Sequence, residues 1–254
     1  MADQGGVVAV TGAGSGIGRA VAEQLATAGD TVIAIGRRPE LLASLAAAQP
    51  DGDTDRGTVV PLPMDVVDPS APERLRDLVR ERFGRLDGLV NCAGLARFAR
   101  LEAADLGDFD RMLAVNLRAP AALIQALLPA LIETRGSVVN VTSIGGVLAM
   151  PGRSLYGASK AAINSLTRSL ARELAPDVRV NAVVPGPVDT PMYDDLGLDA
   201  EETESLRAGL LDSTPMARFG QPGDVATWVC ALLDPKRSGW ITGTLLTVDG
   251  GRSV

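Results

Sequence analysis

Apolar positions along the chain fall into two alternating kinds of segment. Short continuous runs occur at residues 7–10, 31–35, 58–62, 86–90, 137–142, 178–184 and 244–248. They lack in–out alternation, as expected of parallel strands covered on both faces. Between them the spacing turns helical. Residues 19–28 place Ala20, Val21, Leu25 and Ala28 on one side, and residues 39–48 follow a Pro at the first turn. Further helices are expected from Asp68-Pro69 to about Phe83, and over 109–132, 152–174 and 222–233. Residues 49–57 are polar and rich in Asp and Gly, which predicts an exposed loop. No repeat or linker divides this alternation. It predicts a single α/β domain, a doubly wound parallel sheet of about seven strands with helices on both faces. Ligands of such sheets bind beyond the carboxyl ends of the strands.

Composition narrows the function classes. The 254 residues are 46% hydrophobic but only 3% aromatic, which suits small-residue packing of helices on a sheet and offers no stacking platforms for bases. The formal net charge of −7 disfavours a nucleic-acid partner. No uninterrupted apolar run approaches the length of a membrane span, and residues 1–6 have no basic or apolar leader, so the sequence predicts a cytoplasmic protein. Two cysteines and no histidine make a disulfide framework or a zinc site improbable, and no metal is expected.

Candidate chemistry lies at the strand ends. The first strand runs into Thr11-Gly12-Ala13-Gly14-Ser15-Gly16-Ile17-Gly18 and then into a helix. Glycines at such a turn admit a pyrophosphate to the backbone, and the N–H groups of the helix start bind its charge, as in Rossmann-type nucleotide sites. Downstream, Tyr156 and Lys160 stand four residues apart, with Ser143 thirteen residues before Tyr156. On a helix, phenol and ammonium share one face, and the ammonium is expected to lower the tyrosine pKa from about 10 toward neutrality. Tyr156 then becomes a general acid/base.

Together these motifs resemble the short-chain dehydrogenase/reductase family, and in particular its β-ketoacyl reductase-like members. The resemblance spans Val7 to Gly251, with the motifs in the family's order. The glycine motif maps onto Gly12, Ser15, Gly16, Ile17 and Gly18. The family's Asn-Asn-Ala-Gly stretch appears as Asn91-Cys92-Ala93-Gly94, with Cys in the second place. The resemblance implies a catalytic set of Asn116, Ser143, Tyr156 and Lys160. In it Ser143 and Tyr156 hold the substrate oxygen, Lys160 also reaches the nicotinamide ribose, and Asn116 holds a water beside Lys160. It further implies that Asp65 and Val66 touch the adenine, and that Pro185, Gly186, Val188 and Thr190 seat the nicotinamide. Asp65 is equally readable as a turn former. Dimer or tetramer interfaces are implied around the Asn116 and Tyr156 helices and Asp249-Gly250-Gly251.

The second strand ends Ile35-Gly36-Arg37-Arg38, with no carboxylate where NAD-binding chains carry one. NADP(H) is therefore favoured over NAD(H), with Arg37 and Arg38 at the 2′-phosphate; the alternative is a solvated arginine pair. A substrate pocket is expected from Leu95, Arg97, Gly145, Leu148, Met150, Met192 and Tyr193, under a lid at about residues 190–215 whose acids face water. The expected activity is hydride transfer between NADP(H) and a carbonyl or secondary alcohol. A NAD-dependent alcohol dehydrogenase, a dehydratase or epimerase, and a nucleotide sensor on the same scaffold stay open as alternatives.

Overall fold

In the computed structural model, which describes residues 5–48 and 57–254, seven parallel strands form one sheet in the order β3-β2-β1-β4-β5-β6-β7. The strands are β1 (Val7–Thr11), β2 (Thr31–Gly36), β3 (Val59–Pro63), β4 (Gly88–Asn91), β5 (Ser137–Val141), β6 (Arg179–Pro185) and β7 (Leu245–Val248). The order reverses between β1 and β4, which pair through Val8–Gly88 to Val10–Val90. A crevice opens at such a reversal, beyond the carboxyl edge. The expected exposed loop at 49–57 lies, apart from Gly57, outside the described residues.

Strand periodicity splits the core in two. Val8 and Val10 point to one face, where they pack with α1 (Gly16–Thr27), α2 (Pro39–Ala47) and, from later in the chain, α8 (Pro222–Leu233) through Val21, Leu25, Leu42, Val225 and Val229. Val7 and Ala9 point to the other face, against Leu75 of α3 (Ala71–Leu78) and Leu123, Leu127 and Leu131 of a long helix. That helix comprises α4 (Leu106–Leu113), a π-helical turn (Ala114–Arg118) and α5 (Ala119–Thr134). By length and composition it could cross a membrane, contrary to the expectation from the apolar runs, yet its Leu123, Ile124, Leu127 and Leu131 are buried within the fold. The helix extends three residues before the sequence-expected start, where the Asp105 carboxylate accepts from the Gly107 N–H and caps it.

The remaining helices are α6 (Ser154–Leu174), α7 (Ala200–Asp212) and the short α9 (Pro235–Ser238). A 3₁₀ turn (Pro191–Asp195) precedes α7, which opens with a reciprocal capping box between Asp199 and Glu202. Apolar side chains of this segment, Tyr193, Leu196, Leu198 and Leu206, join Ala96, Phe98, Met112 and Tyr156 in a third cluster above the sheet edge. The acids Asp194, Asp195, Asp199, Glu201, Glu202, Glu204 and Asp212 are exposed.

Candidate active site

A cavity of about 640 Å³ lies beyond the carboxyl edge of the sheet. One end is built by the β1–α1 turn and the residues after β2 and β3. Gly12 has φ +70°, and a Cβ there would sit 2.9 Å from the Ala93 N atom, so the turn closes only on glycine. Thr11 locks the same corner: its Oγ1 accepts from the Cys92 and Ala93 N–H groups, both at 3.0 Å. Helix α1 begins at Gly16, three residues earlier than its apolar spacing suggests, because Ser15 in extended backbone serves as the N-cap residue. Its first N–H groups therefore face the cavity, an anion-binding arrangement. Arg37 and Arg38 line this end with Asp65 and Val66. Arg38 donates to Ser15 Oγ at 3.1 Å, whereas Arg37 makes no hydrogen bond or ion pair among the described residues. Asp65 accepts from the Val67 N–H at 3.1 Å, so it forms a turn and lines the cavity at once.

The other end gathers Ser143, Tyr156 and Lys160. Ser143 stands just after β5, where its Oγ accepts from the Gly145 N–H at 3.0 Å. Tyr156 lies on the first turn of α6, 6% exposed. Lys160, one turn on, is also buried; its Nζ donates to the Val141 carbonyl at 3.3 Å and lies 6.0 Å from the Tyr156 ring centroid. The expected lowering of the tyrosine pKa by Lys160 is not found. Burial raises it, with the Ser143 hydroxyl and Arg153 acting in the opposite direction. Burial also pulls Lys160 down to about 8, the effect being partly offset by Cys92. Desolvation is the largest cause of both shifts, and Lys160, 6.0 Å from the ring centroid, is not among the groups that lower the tyrosine pKa. The Cys92 thiol is pushed up to about 12 by burial, which leaves it unreactive.

Asn116 occupies the π-helical turn, a helix distortion common at functional sites. Its Oδ1 accepts from the Leu95 N–H at 2.9 Å, and its Nδ2 donates to the Leu95 carbonyl at 2.9 Å and to Ser159 Oγ at 3.0 Å. Ser159 in turn donates to the Tyr156 carbonyl at 2.7 Å. Asn116 thus ties the loop after β4 to the tyrosine helix, and it stays off the cavity wall. Asn91 is buried with its Nδ2 on Asn140 Oδ1 at 2.9 Å and, among the described residues, its own Oδ1 unpartnered; Cys92, Ala93 and Gly94 line the cavity in its place.

Of the expected substrate residues, Leu95, Met150, Met192 and Tyr193 line this end. Arg97, Gly145 and Leu148 do not. Gly145 is wedged behind it, where a Cβ would meet Met150 Cε at 2.8 Å and Tyr156 Cε1 at 3.0 Å. Arg97 turns to Asp195 at 2.7 Å, an internal partner in place of a substrate anion. Pro185, Gly186, Val188 and Thr190 line the cavity, with Thr190 lying over Gly16. Sequence reasoning passed over Arg153 and Arg111, both cavity-lining. The one signal for Arg153 was its place three residues before Tyr156.

The residues fit a dinucleotide: a glycine turn with free N–H groups and an uncommitted arginine at one end, a buried phenol and ammonium at the other.

The family profile described as enoyl-(acyl carrier protein) reductase matches residues 12–253. The 3-oxoacyl-[acyl-carrier-protein] reductase FabG of Thermotoga maritima is 38% identical over 98% of both chains. The (3R)-3-hydroxyacyl-CoA dehydrogenase of Homo sapiens is 36% identical over 95% of this chain and 93% of its own. Among solved structures, the 3-ketoacyl-(acyl-carrier-protein) reductase of Brucella melitensis, complexed with NADH, superposes with TM-score 0.86 at 29% identity, covering 99% of each chain.

Proposed function

The chain belongs to the short-chain dehydrogenase/reductase family of oxidoreductases, and from that premise we propose that it transfers a hydride between NADP(H) and a ketone or secondary alcohol, with Tyr156 as general acid/base. The observation that carries this reading is the convergence of Ser143, Tyr156 and Lys160 on one end of a cavity whose other end is the glycine turn. A bound nicotinamide supplies the hydride.

The chain's own residues do the rest. Ser143 and Tyr156 hydroxyls hold the carbonyl oxygen and stabilise the negative charge that develops there. Tyr156, kept a neutral phenol by burial, delivers its proton to that oxygen in the reductive direction. Lys160 is a buried cation close behind the phenol ring, and its charge favours the phenolate left after transfer. Asn116 positions both the Leu95 loop and the start of α6. Leu95, Phe98, Met150, Met192 and Tyr193 give the carbonyl end an apolar wall, and the 190–215 segment serves as its lid.

Preference for NADP(H) is supported by the uncommitted Arg37 and by Arg38 reaching Ser15. NAD(H) is the second reading, favoured by the NADH in the Brucella melitensis structure. The same proposal takes the protein as a cytoplasmic homo-oligomer, dimer or tetramer, supported by the open β7 edge and fully exposed Trp240.

Loss of NADPH absorbance with a carbonyl panel tests the proposal. Tyr156→Phe is expected to lose turnover about 10²–10⁴-fold, the usual size of a general acid/base contribution, with NADPH affinity retained. Full activity in that variant removes Tyr156 from the mechanism.

A further inference from the structure

Arg153 differs from the other arginines on the cavity wall. Arg111 pairs with Asp108, and Arg38 donates to Ser15. Arg37 is uncommitted but stands at the opposite end, beside the glycine turn. Arg153 precedes α6, three residues before Tyr156, and is half-buried. Its guanidinium lies over the Phe98 ring, 5.6 Å from the centroid. Phe98 in turn meets Tyr156 edge-on, with centroids 5.4 Å apart, so the guanidinium and the phenol pack on the same ring.

Among the described residues the Arg153 side chain makes no hydrogen bond and no ion pair. The charged and titratable groups that act on it are Tyr156, Tyr193 and a second arginine, Arg252. Arg252 comes from the C-terminal turn; it donates to the Leu210 carbonyl and to Ser213 and leaves its buried Nε unpartnered. A guanidinium offers five donors; the Phe98 ring face supports this half-buried one, but desolvation and a neighbouring cation oppose it, and an anion would complete its donors. Burial and Arg252 accordingly hold the Arg153 pKa below its ordinary value.

The planar fork of one uncommitted guanidinium matches the two oxygens of one carboxylate. We propose that Arg153 recognises a carboxylate of the substrate, a few bonds from the carbonyl that Tyr156 protonates. The protein then acts on free oxo- and hydroxy-carboxylic acids in preference to thioesters, in which that carboxyl carries no charge. This rests on the oxidoreductase reading above and departs from the acyl thioesters that the relatives' names specify. The balance is that of a simple ketone reduction: the carbonyl carbon gains a hydride from NADPH, its oxygen gains a proton from Tyr156, and a hydroxy-carboxylate and NADP⁺ result.

The test compares NADPH-dependent reduction of straight-chain oxo-carboxylates with that of their methyl esters, in the wild type, Arg153→Gln and Arg153→Lys. Calorimetric binding of the matching hydroxy-carboxylates to the protein with NADP⁺ gives a second readout that needs no turnover. The wild type is expected to favour acids over esters by about ten- to a hundredfold in kcat/KM, the range of one charge-assisted hydrogen-bonded pair. Arg153→Gln should remove most of that ratio and weaken hydroxy-carboxylate binding, and Arg153→Lys should restore part of both. An acid-to-ester ratio that Arg153→Gln leaves unchanged, or esters handled as well as acids, overturns the inference. So does failure to bind or reduce any acid while NADPH still binds. Absence of NADPH binding overturns the oxidoreductase reading and this inference with it.

Discussion

Tyr156 is held as a neutral phenol by its surroundings, and Tyr193, the only other tyrosine, is pushed up to about 12 by burial and by Tyr156. Both folded values lie above the unfolded one of about 10. Each phenol therefore adds stability that is complete below pH 10 and is lost as the pH rises through its folded value. Titration of the cofactor-free protein followed by phenolate absorbance should show no tyrosine whose midpoint lies below the ordinary value of about 10. A step near pH 7–8 that vanishes in Tyr156→Phe contradicts this account of the site. The pairing of Tyr156 with Lys160 was legible from a four-residue spacing, but the direction of the pKa shift was not. Spacing reports which groups share a helix face; desolvation depends on what the rest of the chain places over them. Asn116 is a similar case. Its type and place were readable, but its bonds to Leu95 and Ser159 arise from a π-helical turn that a 3.6-residue period does not reveal.

Among the elements, the segment over the cavity is held by two arginines. Arg97 pairs with Asp195 at 2.7 Å and lies 3.9 Å from Asp108, and the neighbouring Phe98 N–H donates to the Leu196 carbonyl at 2.8 Å. Arg207 pairs with Asp189 at 2.9 Å and stacks on Tyr193 and Phe219. Asp195 is 70% exposed, so its ion pair contributes little to global stability, about 0–1 kcal/mol. On the proposed lid reading it acts locally, on how often the segment opens. Arg97→Leu is expected to quicken limited proteolysis within residues 191–212 several-fold and to raise substrate KM, with a melting temperature lower by at most about 4 °C. Unchanged cleavage rates remove Arg97 from control of the lid. The sequence placed Arg97 in the substrate pocket by its position shortly after Gly94. Asp195, 98 residues away in sequence, becomes its neighbour only through the fold.

For the whole molecule, alternating apolar runs and helical stretches were enough to read a doubly wound sheet, and the strand ends pointed to residues that meet at one cavity. Gly12, Arg37, Asp65, Cys92, Ser143 and Gly186 all follow the ends of different strands and meet at one cavity. Boundaries were less legible at α1, which starts from an extended Ser15 at its N-cap position, and at the helix capped by Asp105, both of which begin before their apolar spacing does. The cavity carries uncommitted arginine charge at both ends, Arg37 beside the glycine turn and Arg153 beside the tyrosine. On the proposed reading, Arg37 meets the extra phosphate of NADP(H) and Arg153 meets an anionic substrate.

Equilibrium binding of NADPH and NADH to the purified protein, alongside Arg37→Asp, tests the central claim without knowledge of the substrate. The account predicts that NADPH binds at least about tenfold more tightly than NADH, a difference of about 1.4 kcal/mol, and that Arg37→Asp abolishes the difference by weakening NADPH. Equal losses for both cofactors in that variant, or tighter NADH, contradict the phosphate assignment. Binding of neither contradicts the oxidoreductase reading itself.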